Sequence, residues 1–109
     1  MQKNYKVYFD DVLEAIEKIQ NYTKNKSYEE FVKDGLLTDG VIRNLEIIGE
    51  AVKNIPSEIK KKHQNVEWKK ISGLRDILIH SYSGINLTIV WDIVKNKLPI
   101  LKNSIKEIS

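Results

Sequence analysis

Four residues in one short segment have the types and spacing to carry out chemistry. The segment runs Gly73-Leu74-Arg75-Asp76-Ile77-Leu78-Ile79-His80-Ser81-Tyr82. Asp76 and His80 are four residues apart, so on a helix the carboxylate lies beside the imidazole and can orient it and favour its charged form. Arg75 and Tyr82 are two helical turns apart and share a face if the helix continues. Arg75 and His80 differ by roughly 140° around a helix, so they converge only if the chain turns before Gly84.

This set of side chains suggests phosphoryl transfer. A guanidinium binds phosphate oxygens and stabilises the negative charge that grows in the transition state. A histidine can move a proton to or from a hydroxyl or a leaving group near neutral pH. If the substrate is RNA, the 2′-OH is an internal nucleophile and no metal is required. Spacing alone leaves open a second interpretation, an ordinary polar face of an amphipathic helix.

Other kinds of site find little support. The chain has no cysteine, which excludes disulfides, thiol catalysis and cysteine-based zinc sites. Its two histidines, His63 and His80, are far apart, and His63 sits in a lysine-rich stretch typical of plain surface. The sequence has no glycine-rich phosphate loop, nucleophile elbow or paired-histidine zinc helix. We therefore expect neither a metal nor a cofactor.

Chain length and charge distribution limit the classes of protein to which this sequence can belong. A chain of 109 residues predicts one domain over residues 1–109. The net charge of +3 is uneven: residues 1–50 carry −3 and residues 51–109 carry +6. A basic second half suits a polyanion such as nucleic acid, although on charge alone a solvated lysine-rich surface is the simpler explanation. We find no signal peptide and no membrane segment, and expect a cytoplasmic protein.

Apolar residues recur mainly at helical spacing in the parts of the chain that must position this segment. Apolar residues from Tyr5 to Ile19 form one stripe, which predicts a long first helix. Ser27 and Glu30 form a capping box, which predicts a short second helix that Gly35 ends. A third helix should begin after Thr38 or Asp39 and stop at Asn54-Ile55-Pro56.

Two further helices frame the segment itself. We expect the fourth helix to run from Trp68 to His80, after a loop that contains Lys60 to Lys62. Asn86 should cap a fifth helix that reaches Ile108, with a kink near Lys95 to Lys97 caused by Pro99. The prediction is an all-α antiparallel bundle of about five helices.

The segment and its surroundings resemble a known family. Arg75, His80 and Tyr82 match the R-x4-H-x-Y signature of minimal HEPN proteins, the HepT-like ribonuclease toxins of HEPN/minimal-nucleotidyltransferase toxin–antitoxin modules. The stretch Val41-Ile42-Arg43-Asn44-Leu45-Glu46-Ile47-Ile48-Gly49-Glu50-Ala51 is similar to the family's other recognisable segment. Trp68, Ile89-Val90-Trp91-Asp92 and Leu98-Pro99 also fit, so the resemblance extends from about Tyr8 to Ile105.

The resemblance implies a HEPN-like bundle that forms a homodimer, with the Arg75–His80 segments of two subunits facing each other. It implies a metal-independent endoribonuclease, the toxin of a type VII-like module, with Arg75 and His80 catalytic and Asp76 supporting. The cognate minimal nucleotidyltransferase antitoxin would neutralise it by transferring AMP to Tyr82. Surplus apolar surface, including Trp68 and Trp91, gives a second reason to expect a dimer.

Two points stay open from the sequence. Arg43, Glu46 and Glu50 match the family pattern, and we interpret them as helix-packing or ion-pair residues, with direct catalysis or secondary polar contacts as the alternative. The alternative function is a non-catalytic nucleotide- or RNA-binding dimeric partner of a nucleotidyltransferase, or a dimerisation partner that regulates one.

Overall fold

The structure, a computed structural model, describes residues 5–74, 76, 78 and 86–108. This part of the chain is helical, with no strand, which confirms the all-α prediction. The helices are α1 (Lys6–Thr23), α2 (Tyr28–Lys33), α3 (Gly35–Lys53), α4 (Ser57–Lys62), α5 (Trp68–Ser72), α6 (Leu87–Asp92) and α7 (Leu98–Ile108), with a π-helical turn over Ile93–Lys97 between α6 and α7. Within the same residues, no helix is long and apolar enough to cross a membrane.

The two long helices, α1 and α3, pack against each other and supply half of the buried apolar residues of the core. They run antiparallel, because Tyr22 near the end of α1 lies beside Gly40 near the start of α3. A Cβ atom on Gly40 would be 3.3 Å from the Tyr22 ring. At the opposite end, Tyr8 of α1 and Asn54 after α3 line one groove. The fully buried side chains of this pair and its neighbours include Phe9, Val12, Ile16, Ile19, Phe31, Val41, Leu45, Ile48, Val52, Val90, Leu98 and Ile105.

The connection from α1 to α2 follows from two local features. Asn25 has a φ of 60°, a left-handed conformation that asparagine tolerates better than most residues, and it reverses the chain after α1. The capping box then forms as predicted: the Ser27 hydroxyl accepts from the Glu30 N–H at 3.1 Å, and the Glu30 carboxylate accepts from the Ser27 N–H at 2.8 Å. These contacts fix the start of α2.

The predicted start of the third helix was wrong, as was the role of Gly35. Asp34 ends α2 in an extended conformation and caps α3, since its carboxylate accepts from the Leu37 N–H at 3.1 Å. Gly35 is consequently the first residue of α3, not a helix terminator. The end of α3 agrees with the prediction, because Asn54 caps it and Pro56 follows at the start of α4.

The region before the motif contains one helix more than predicted and one that is shorter. Ser57–Lys62 forms α4, a helix that the sequence pattern did not predict. Trp68 donates from its indole N–H to the His63 carbonyl at 2.9 Å, which joins the end of α4 to the start of α5. Helix α5 ends at Ser72 with Gly73 as its cap, and Leu74, Asp76 and Leu78 are again helical. The single helix expected from Trp68 to His80 is therefore interrupted at Gly73.

The last part of the chain agrees with the predicted cap and irregularity. The Asn86 side chain accepts from the N–H groups of Thr88 and Ile89, as an N-cap does. The π-helical turn covers the stretch before Pro99, whose ring crowds the carbonyl four residues earlier and which has no N–H to donate.

Both tryptophans are covered within the chain, which removes one argument for a dimer. Trp68 is buried at 8% exposure. Trp91 is half-buried and packs against Tyr28 and Phe31 of α2, with ring centroids 6.1 and 4.9 Å away, while the Lys95 ammonium lies 4.8 Å above its ring. Neither residue is surplus apolar surface, so they give no support to the predicted homodimer.

Candidate functional site

Of the four residues singled out in the motif, the structure describes Asp76. Arg75, His80 and Tyr82 lie outside the described residues, so their roles stay predictions. Asp76 lies on a helical turn with its side chain exposed to solvent. A solvent-facing carboxylate can bond a neighbouring side chain one turn on, which is the supporting role that the spacing predicts.

The motif segment is attached to the rest of the molecule through apolar side chains. Leu78 is only 4% exposed and belongs to the hydrophobic core, and Leu74 packs partly buried against that core. Their position fixes which side of this turn faces inward, since Asp76 between them faces outward. Helix α5 precedes the segment and packs against α3. The support for the motif therefore comes from α3 and the core beneath it.

The three charged residues of the second family segment lie on one face of α3. Arg43, Glu46 and Glu50 follow each other at three- and four-residue steps, the spacing of neighbours on a helix surface. The Arg43 guanidinium is 3.9 Å from the Glu46 carboxylate, and the Arg43 side chain is 72% exposed. Exposed pairs at this separation contribute about 0–1 kcal/mol, so fold stability gives little reason for the pair.

These residues line a groove between α1 and α3. The groove has a volume of about 460 Å³, within the range of small-ligand sites. Tyr8 and Asp11 form the α1 wall, and the α3 wall is made by Arg43, Glu46, Ile47, Glu50, Ala51 and Asn54. The groove is thus lined by an aromatic residue, by aliphatic residues and by carboxylates from both helices.

Sequence reasoning missed the α1 side of this groove. Tyr8 belongs to the apolar stripe of α1 and Asp11 to its polar face, and neither position signals a site on its own. They meet the charged face of α3 because the two helices pack antiparallel. No motif in α1 could have revealed this, since the groove exists through a tertiary contact.

The groove does not have the form of a metal centre. Within the described part of the chain, no three histidine, aspartate or glutamate side chains are grouped closely enough to hold a metal ion.

A basic surface lies next to the motif on the chain. The last turn of α4 carries Lys60, Lys61 and Lys62, and α5 carries Lys69 and Lys70. Partial burial lowers the pKa of Lys60, because desolvation disfavours its charged form. The indole bond from Trp68 links the end of α4 to the start of α5, and the two helices together carry five lysines, of which Lys70 pairs with Glu67 at 3.3 Å.

The described residues form helices, Leu78 within the R-x4-H-x-Y motif packs in the core, and both features fit a HEPN-type protein. Comparison with known families agrees. The family described as "Ribonuclease HepT-like" matches residues 12–108. The chain belongs to this HepT-like ribonuclease family.

Individual relatives carry ribonuclease names. A Caldanaerobacter subterraneus subsp. tengcongensis protein named "Putative RNase" is 45% identical, over 97% of this chain and 95% of its own. A Thermococcus cleftensis protein named "Probable ribonuclease HepT" is 40% identical, over 99% of this chain and 98% of its own. A Methanocaldococcus jannaschii protein named "Gamma-glutamylcyclotransferase and putative RNase" is 44% identical, and this chain spans about half (49%) of it. No solved structure matches.

Proposed function

We propose that this protein is a metal-independent endoribonuclease and the toxin of a type VII-like toxin–antitoxin module. The observation that carries the proposal is the R-x4-H-x-Y motif, Arg75 to Tyr82, in a chain of the HepT-like ribonuclease family. Ribonuclease-named relatives that match along nearly their whole length support RNA as the substrate. The basic surface on α4 and α5 is suited to a polyanion, because lysines neutralise backbone phosphates.

The proposed reaction uses the 2′-OH of the substrate as nucleophile. His80 takes or returns the proton, and Arg75 holds the scissile phosphate and stabilises its added negative charge. The 2′-oxygen bonds to phosphorus as the 5′-oxygen of the next nucleotide leaves with a proton. The products are a 2′,3′-cyclic phosphate end and a 5′-hydroxyl end. Asp76 supports the imidazole from the neighbouring turn.

The test is cleavage of a labelled RNA by the purified protein in the presence of a chelator. We expect cyclic phosphate ends from the wild type, and a rate lower by about 10² or more in Arg75→Ala and His80→Ala. His63→Ala is the matched control, because it removes the other histidine and should leave the rate unchanged. Full activity in His80→Ala, or strict dependence on a divalent ion, would refute the mechanism.

We further propose that a cognate minimal nucleotidyltransferase neutralises the toxin through Tyr82. The Tyr82 phenol oxygen would bond to the α-phosphorus of ATP, losing its proton as pyrophosphate leaves. The AMP on Tyr82 would then place a phosphate beside Arg75 and occupy the substrate position by bulk and charge. Tyr82→Phe should keep the fold and escape modification. Intact mass spectrometry after incubation with the nucleotidyltransferase and ATP measures the adduct. An unmodified wild-type chain, or AMP on Tyr5 or Tyr28, would contradict this switch.

The competing function is a non-catalytic, dimeric nucleotide- or RNA-binding partner of a nucleotidyltransferase. It predicts RNA binding without cleavage, and binding that survives His80→Ala. The cleavage assay therefore separates the two functions directly. We place the protein in the cytoplasm in either case, as a single domain.

A further inference from the structure

The groove between α1 and α3 combines features that the proposed cleavage chemistry does not use. Its walls supply the Tyr8 ring, the aliphatic side chains of Ile47 and Ala51, and the carboxylates of Asp11 and Glu46. Proteins that read single-stranded RNA stack bases on aromatic rings and bond their Watson–Crick edges. A flat apolar surface beside polar acceptors is the arrangement this recognition needs.

Charge decides which part of a nucleotide can enter. Among the described residues that line the groove, Asp11 and Glu46 carry a negative charge and Arg43 carries a positive charge. A phosphate would be repelled by these carboxylates, whereas a neutral base with N–H donors would be attracted. Arg43 remains available for a phosphate outside the groove, since its side chain is 72% exposed and 3.9 Å from Glu46.

The Glu46 carboxylate selects among the four bases. It lies beyond hydrogen-bond distance of Arg43, so its oxygens can accept from a ligand. An ionised carboxylate only accepts hydrogen bonds. The Watson–Crick edge of guanine presents two adjacent donors, N1–H and the N2 amino group. Adenine and cytosine place a ring acceptor beside their amino group, and uracil flanks its N–H with two carbonyls. Guanine is therefore the base that one carboxylate can bind with both oxygens.

We infer that the groove between α1 and α3 is a guanine-binding subsite, with Tyr8 stacking on the base and Glu46 accepting from its Watson–Crick edge. The inference rests on the proposed function in that the guanine would belong to the RNA substrate. The motif segment follows α5, which packs on α3, so the same helix supports the groove and the segment.

The experiment measures binding of 3′-GMP, 3′-AMP, 3′-CMP and 3′-UMP to the full chain by isothermal titration calorimetry. We expect wild type to prefer 3′-GMP by about tenfold, the usual scale for a two-bond base contact, and Glu46→Gln to lose that preference. Tyr8→Leu should weaken all four nucleotides by about tenfold without changing their order. Glu14→Gln is the matched control, because Glu14 is an exposed α1 carboxylate 4.0 Å from Lys18.

Equal binding of the four nucleotides by wild type would overturn the inference. So would a guanine preference that survives in Glu46→Gln, or one that Glu14→Gln loses equally. A parallel cleavage assay on oligoribonucleotides with one guanine at varied positions keeps the two proposals apart. Guanine-selective binding without cleavage would refute the ribonuclease proposal and retain the subsite. Cleavage that does not depend on guanine would refute the subsite and retain the ribonuclease proposal.

Discussion

Replacing Leu78 with alanine should destabilise the protein severely, because this side chain anchors the motif segment to the core. Leu78 is 4% exposed and lies two residues before His80. The substitution removes three carbon atoms from the core, at about 0.8 kcal/mol each for the transfer to water alone. A residual cavity adds a further cost, so we expect a total loss of about 2–4 kcal/mol.

Urea unfolding followed by circular dichroism measures this loss at fixed protein concentration. A lower midpoint with an unchanged slope would show that stability changed and that the unfolded state did not. Leu36→Ala is the matched control, since it is the same substitution at a residue that is 87% exposed. We expect it to change the free energy of unfolding by less than about 0.5 kcal/mol. Equal effects of the two substitutions would refute the anchoring role of Leu78.

Three further predictions concern a helix cap, a titrating carboxylate and the dimer. Asp34→Ala should cost about 1 kcal/mol in urea unfolding by removing the cap of α3, whereas Asp39→Ala should cost much less. The Ser27 N–H holds the pKa of Glu30 below its ordinary value, so this stabilisation is present at neutral pH and is lost as pH falls through the folded pKa. The difference in melting temperature between wild type and Glu30→Gln should therefore shrink with acidification, and a constant difference would contradict it. Mixing an Arg75→Ala chain with wild type should depress RNA cleavage beyond simple dilution if two subunits share the cleft, and strictly proportional activity would count against sharing.

Where the sequence predicted the fold well, local chemistry determined the structure. The α1 stripe, the Ser27–Glu30 capping box and the Asn86 cap each depend on residues within a few positions of one another. The same reasoning failed at Asp34. A capping aspartate followed by glycine can be interpreted as the end of one helix or the start of the next, and the structure makes it both.

The groove could not be predicted because it depends on tertiary packing. Arg43, Glu46 and Glu50 could be identified from their helical spacing, but the sequence left their role open between packing and direct contact. In the structure they line a groove, because the packing of α1 places Tyr8 and Asp11 opposite them. Helix α4 was missed for a different reason: a six-residue helix with three consecutive lysines has too short an apolar pattern to be recognised.

The case for a dimer now depends on chemistry and no longer on Trp68 and Trp91. Trp68 and Trp91 are covered within the chain, and exposed residues such as Ile89 and Ile100 are individually ordinary on a protein surface. Cleavage by the 2′-OH needs one group to remove a proton and one to supply a proton to the leaving oxygen. Each chain offers one histidine in the motif, so a facing subunit would supply the second. If a monomer cleaved RNA at the full rate, one chain would have to carry out both proton transfers. There would then be no chemical reason for two subunits to share the cleft.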